Sequence, residues 1–292
     1  MNNNRRDFLK MGGNLAAAIA LAPFAGKLMS TSDEEENAKA IKKFGIQLWS
    51  IREDLAKDPK GVLKQLADDG YKQIESFEGA KGMFWGMSNT DFKKYMNDLG
   101  MAIISSHCDI NKDFEKKAAD ASAIGMKYLI MPYEGPNKSI DDYKKLAEDF
   151  NKKGEICKKN GIRFAFHNHN FSFTAINGQF PQDALMQNSD PSLVDFEMDM
   201  YWVVAPGQDP VAWLKKYPNR FRLCHVKDRK KNATEMDASC ILGEGSINYS
   251  SILKEARKQG MQYYIVEQER YDNTTPMRSA KADAEYMKKV KI

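Results

Sequence analysis

Two of the chain's four histidines, His167 and His169, stand two positions apart at the end of an apolar run, in FAFHNHNFSF. On a strand that spacing aims both rings at one face. An apolar run that stops abruptly in two inward histidines reads as the mouth of a barrel strand, where side chains cease packing and begin to meet solvent and ligand. Three later runs repeat the pattern: LVDFEMD ending at Asp199, FRLCH ending at His225, and YYIVE ending at Glu267. His, Asp, His and Glu on successive strand-like segments are the side chains a divalent cation (Mn²⁺, Zn²⁺, Co²⁺ or Mg²⁺) takes when it combines nitrogen and oxygen ligands. Either His167 or His169 could be the ligand on the first of these segments. The other is then free to orient substrate or move a proton.

Further candidates cluster at the same ends of other runs. Glu75 and His107 could serve as base or hydroxyl-binding groups, or hold structure. Lys227 shares the parity of His225 and could steady a developing oxyanion, or form a surface ion pair with Asp228 or a neighbour. Trp49, Phe84, Trp85 and Trp202 fall at strand ends or in the following loops, where rings could cover the apolar face of a bound ligand. Trp202 could instead be core, and the scattered methionines read as filler.

Positioning such a set requires strands whose C-terminal ends share one rim, and the chain reads that way. Phe44 to Trp49 alternates as a first strand, and Asp58-Pro59 caps a helix with Val62, Leu63, Leu66 and Ala67 on one face, closed by Gly70. Strand Gln73 to Phe77 follows, then a helix to Leu99-Gly100, strand Ala102 to Ser106, helix Phe114 to Ile124, and strand Tyr128 to Met131. A long helix from Ile140 to Lys159 precedes the histidine strand. Later helices are expected over Asp209 to Tyr217, Asn248 to Gln259 and Thr275 to Lys289. Each early helix closes on a glycine and a strand follows at once. Eight strands alternate with eight helices at spacings of roughly 25 to 35 residues, as βαβ units require. No GxGxxG follows the first strand and no GxxxxGK[ST] occurs, so a nucleotide crevice is not indicated and a closed (βα)8 TIM barrel, one domain over 44–292, is expected.

The first 32 residues stand apart from this pattern. Arg5-Arg6 precedes Phe8-Leu9-Lys10 and an uncharged Ala/Gly/Leu-rich stretch, which resembles a Tat-type export signal, with Asn4 where Ser or Thr is usual. The apolar run is too short for a stable transmembrane helix, and a periplasmic or otherwise exported location is expected. Residues 33–43 suit a tether. Setting aside Arg5, Arg6, Lys10 and Lys27 against Asp7 brings the formal charge from +4 to near +1, poor material for a nucleic-acid partner. Cys108 and Cys224 lie inside strand-like runs and read as buried free thiols rather than bridge partners. An oligomer is compatible with this pattern.

The set FHNHNF, EMDMYW, CHVKD, GEGSINY and IVEQE resembles the sugar phosphate isomerase/epimerase family of xylose isomerase-like barrels, over the chain from about Phe44 to its end. The resemblance implies a metal held by one acidic or histidine ligand after strand five, then Asp199, His225 and Glu267. Strand five departs from the epimerase pattern, because no acidic residue occurs between Arg163 and Gln182. Neutral imidazole in place of a carboxylate leaves the cation less compensated and removes half of a two-carboxylate proton relay. The implied chemistry is metal-assisted proton abstraction next to the carbonyl of a keto-sugar or 3-keto-glycoside, moved by Glu267, His167 or His169. Reprotonation would give epimerisation or isomerisation; loss of a β-substituent would give elimination, which suits a single well-placed base. A non-catalytic carbohydrate-binding barrel and an endonuclease IV-like phosphodiesterase are the rival readings.

Overall fold

The computed structural model describes residues 40–136 and 138–292, so the expected signal segment and most of the tether lie outside the described residues. Eight parallel strands close a barrel: β1 (Gly45–Gln47), β2 (Gln73–Phe77), β3 (Ala102–His107), β4 (Tyr128–Met131), β5 (Arg163–His167), β6 (Val194–Asp199), β7 (Phe221–Val226) and, after a short pair, β10 (Tyr263–Val266). The pair, β8 (Asp228–Arg229) with β9 (Ser239–Cys240), is antiparallel and stands on the loop after β7. Closure joins β1 to β10, and neighbours elsewhere follow chain order.

The helices form where capping chemistry permits. Asp58 Oδ1 accepts from Gly61 N at 2.9 Å ahead of Pro59–Asp69, and Gly70 ends that helix at a φ of 109° that a side chain would resist. Ser139 and Asp142 form a reciprocal capping box on Ile140–Lys159, the longest helix among the described residues. The expected first strand is shorter than its apolar run: Gln47 accepts from Trp49 N at 3.0 Å and turns Leu48–Ile51 into a 3-10 helix, which throws Trp49 over the rim.

Core sits between the barrel wall and its helices. Phe164 and Phe166 on β5 pack against Phe150, with ring centroids 5.2 and 5.1 Å apart. Leu63, Phe92, Leu185, Leu214 and Leu253 bury the inner faces of successive helices. Each such side chain contributes about 1.5–3 kcal/mol when fully buried. Inside the barrel the apolar content is small: Tyr128, Ile130, Ala165 and Leu223, with Tyr263 packed on them.

Two register shifts interrupt the barrel wall. The β2–β3 ladder slips between Ile74 and Glu75, and the β6–β7 ladder slips between Phe196 and Glu197. Such bulges bend a strand and re-aim its side chains, often beside functional sites. Each begins immediately below an inward glutamate.

Candidate active site

At the C-terminal end of the barrel, parity brings Glu75, His107, His167, Glu197, Asp199, His225 and Lys227 to the inner face, and every one of them is buried. They form two tiers. In the upper tier, ligand atoms of Asp199, His225 and Glu267 lie within 4.8 Å of one another. Asp199 Oδ2 is buried without a hydrogen-bond partner. It stands 4.0 Å from His167 Nε2 and 3.9 Å from both His225 Nδ1 and Lys227 Nζ. Those separations are too long for hydrogen bonds; the two imidazole nitrogens and the carboxylate fit ligands arranged around a common ion, and the Lys227 ammonium stands beside them as a charge.

The lower tier fixes the imidazoles. Glu75 Oε1 lies 2.7 Å from His225 Nε2, while Glu197 Oε2 lies 3.1 Å from His167 Nδ1. Each histidine thus spends one nitrogen on a deep carboxylate and turns the other toward the upper tier, as metal-binding histidines do. Glu75 is itself held by Gln47 Nε2 at 2.7 Å and Ser105 Oγ at 2.6 Å. His107 Nε2 bridges the two acids, 3.1 Å from Glu75 and 2.9 Å from Glu197.

Burial and charge set opposite protonation tendencies. Burial alone would lower His107, but Glu75 and Glu197 raise it to about 9. Burial together with the charges of His225, His169 and His107 holds His167 well below its ordinary value. His169 is pushed down to about 3 by burial and the Lys227 ammonium, so its ring is neutral. Burial pushes Asp199 up to about 7 against the pull of Lys227, and pushes Glu197 up to about 7 with help from Glu75. Burial would raise Glu267 as well, but His225 and Lys227 hold it well below the usual carboxylate range.

The structure gives Lys227 a buried ion pair with a neighbour in place of a surface pair with Asp228. Its ammonium pairs with Glu269 and lies 3.4 Å from Glu267, with the Trp202 ring 4.7 Å away. Asp228 turns elsewhere: its carboxylate accepts from the backbone N–H of Arg229, Gly243, Gly245 and Ile247, at 2.8 to 3.1 Å. This ties the GEGSI loop beneath β8 and accounts for the Asp of CHVKD. A Cβ on Gly245 would meet Asp228 Oδ1 at 2.2 Å, so the cradle admits only glycine there.

A cavity of about 540 Å³ opens above the upper tier, lined by Trp49, Phe77, Tyr133, His107, His167, His169, Glu267 and Glu269 among others. Besides His107, His167 and His169 its lining holds one lysine, Lys112, against Glu78, Asp109, Glu267 and Glu269. Of the candidate aromatics Trp49 reaches the cavity. Trp85 stands behind Phe77, with its indole N–H on Ser76 Oγ at 3.2 Å. Trp202 lies over Lys227 and beside His169, centroids 5.6 Å apart, and Phe84 packs toward Phe92. Glu75 does not line the cavity and sits in the lower tier. His167 ends β5, whereas His169 lies beyond it, capping the 3-10 helix Asn170–Phe173, with its Nδ1 buried and unpartnered.

Several site residues were not anticipated from sequence. Glu197 shares the parity of Asp199, a signal that was available, but it reads as part of the run rather than its end. Asn168 exchanges hydrogen bonds of 3.1 Å with the backbone N–H and C=O of Asp199, locking β5 to β6 at the rim. Glu269 and Tyr133 lie on loops without periodicity. The four cysteines are free thiols, with Cys108, Cys157 and Cys224 buried. Among the described residues no helix is long and apolar enough to cross a membrane.

The xylose isomerase-like TIM barrel family matches this chain over residues 63–290. A crystal structure of a sugar phosphate isomerase/epimerase from Parabacteroides distasonis is similar to it with a TM-score of 0.72 and 31% identity, covering 86% of this chain and 94% of that one. An inosose dehydratase of Clostridium tetani is 29% identical over 153 residues, which are 47% of this chain and 50% of the relative. The chain therefore spans about half the length of that relative. A second inosose dehydratase, of Mesomycoplasma hyopneumoniae, is 25% identical over 270 residues, 84% of each chain.

Proposed function

The chain belongs to the xylose isomerase-like TIM barrel family, and from that premise we propose a metal-dependent enzyme that removes a proton next to the carbonyl of an uncharged keto-sugar or 3-keto-glycoside. Elimination of the β-substituent is the favoured outcome, as water from a keto-sugar or as the aglycone alcohol from C1 of a 3-keto-glycoside, with epimerisation or isomerisation as the alternative fate of the same enediolate. The observation that carries this reading is the buried, unpartnered Asp199 Oδ2, facing His167 Nε2 and His225 Nδ1 from about hydrogen-bond distance plus one ångström. His167, Asp199, His225 and Glu267 would hold the cation. Mixed nitrogen and oxygen donors of this kind suit Mn²⁺, Zn²⁺ or Co²⁺ over purely oxygen-seeking ions. A bound divalent cation supplies Lewis-acid polarisation of the substrate carbonyl, which lowers the cost of the charge that develops on its oxygen.

The remaining chemistry falls to the chain's own side chains. His169, at the cavity wall, is placed to accept the proton from the carbon next to the carbonyl, with Glu267 and His167 lining the same cavity as the other candidate bases. His107, protonated between Glu75 and Glu197, donates to the departing β-oxygen, which leaves as water from a keto-sugar or as the aglycone alcohol from a 3-keto-glycoside. Lys227 adds a buried positive charge beside Glu267, opposite the developing oxyanion. The dehydratase name of the relatives supports elimination over epimerisation, as does the missing strand-five carboxylate. An uncharged substrate suits a lining with four carboxylates and a single lysine, which also counts against the phosphodiesterase reading. The twin-arginine segment supports export of the chain, tested by whether Arg5→Lys with Arg6→Lys keeps it in the cytoplasm.

The test of the reaction is solvent exchange. Protein loaded with Mn²⁺ or Zn²⁺ and incubated in D₂O with a panel of 3-keto-glycosides and free ketoses should place deuterium next to the carbonyl of at least one, and EDTA should abolish it. Absence of exchange across the panel overturns the reading.

A further inference from the structure

Three large apolar side chains among the described residues are strongly exposed, and two of them, Trp49 at 40% and Tyr133 at 51%, line the same cavity. They follow β1 and β4, which stand three strands apart around the eight-strand barrel. Both rings are braced rather than loose. Arg52 stacks 4.6 Å from the centroid of Trp49 and donates to its backbone C=O at 2.9 Å, covering one face. Phe77 meets the indole edge-on at 5.1 Å and is in turn backed by Trp85 at 5.0 Å. Tyr133 stands edge-on to His169 and Phe171, with centroids 5.0 and 5.6 Å apart. Aromatic surface held exposed at such cost is the usual means of covering the apolar C–H face of a sugar.

The cavity has more volume than one reacting ring requires. Its polar floor is formed by His107, His167, His169 and Glu267, and its outer walls are aromatic. A volume of about 540 Å³ has room for two pyranose rings rather than one, within the ordinary range of ligand pockets. We propose that the substrate is a two-ring glycoside of disaccharide size, with the keto ring on the polar floor and a second, uncharged pyranose held between Trp49 and Tyr133. This rests on the keto-sugar reading for the inner ring, while the outer subsite stands on the aromatic walls themselves.

Binding of unreactive sugars tests it without turnover. Calorimetry with cellobiose and trehalose against methyl glucoside and glucose should show at least one disaccharide bound ten-fold or more tighter than either single ring. Trp49→Ala and Tyr133→Ala should each cut that preference several-fold, with Trp49→Phe retaining part of it, and unchanged circular dichroism marks the variants as folded. Equal affinity for one and two rings, or a preference untouched by all three substitutions, overturns the subsite. A two-ring preference in a protein that exchanges no deuterium supports the subsite and discards the reaction; exchange without the preference does the reverse.

Discussion

On β5, Phe164 and Phe166 turn outward onto Phe150 of the long helix, while Arg163, Ala165 and His167 turn into the barrel. The same division runs around the wall. Outside, between strands and helices, the core is continuous and apolar. Inside, four apolar residues fill the lower lumen with Asp195, bonded to Arg163 and Tyr128, and above them stand Glu75, Glu197, Asp199, His225 and Lys227. A fold seeking stability alone would fill that upper lumen with Val, Ile and Leu. Burying ionised groups costs several kcal/mol each before pairing, so the outer shell carries the stability and the lumen spends some of it on chemistry.

The difference predicts that the two regions fail in different ways. Phe164→Ala opens the outer core between Phe114 and Phe150 and should lower the unfolding free energy by about 3–5 kcal/mol in urea titration, with cation affinity retained in the folded fraction. Equal losses of stability from lumen and shell would break the contrast.

Asp199→Asn does the opposite. It removes the charge of a buried carboxylate whose Oδ2 lacks a hydrogen-bond partner and keeps an oxygen for the Trp202 backbone N–H, so metal-free stability should change by less than about 1 kcal/mol, while turnover falls by roughly 100-fold or more. Parallel urea titrations and deuterium-exchange rates separate the two effects.

Glu75→Gln sharpens the distinction between tiers. The variant keeps a partner for Ser105 but loses the charge that orients His225, and cation affinity measured by competition with a chelator should weaken about 10–100-fold. An unchanged affinity would mean that the lower tier is structural alone.

The smallest effect belongs to Asp283, a buried acid outside the lumen on the helix Pro276–Met287. Burial raises it from an ordinary 3.8 to about 8, opposed by the Leu242 N–H and aided by Asp228 and Glu244. Between those values the folded state holds a proton that the unfolded chain releases, so this group makes stability fall as pH rises across the window. Asp283→Asn should match the wild type near pH 4 and exceed it by about 1 kcal/mol or more near pH 8. Urea titrations at the two pH values check it, and parallel stabilities contradict it.

Much of the outer shell was legible because helix ends carry local chemistry. The expected strands Gln73 to Phe77 and Tyr128 to Met131 and the helix Ile140 to Lys159 match the observed limits. The rim residues were legible because each ends an apolar run. What stayed hidden depends on relations between strands. The slips beside Glu75 and Glu197 arise from sheet closure and leave no mark in periodicity. Glu197 is masked by its neighbours Phe196 and Met198, and the β8–β9 pair is too short to show alternation. Tyr133 and Glu269 reach the cavity from loops, where tertiary position rather than pattern decides role.

Metal content is the most direct measure of whether the charged lumen exists to bind an ion. Chelator-stripped protein, reloaded with Mn²⁺ or Zn²⁺ and desalted, should retain one cation per chain by mass spectrometry, and His225→Ala and Asp199→Asn should retain none while remaining folded. Wild-type protein that retains no ion, or variants that load as the wild type does, would contradict the account.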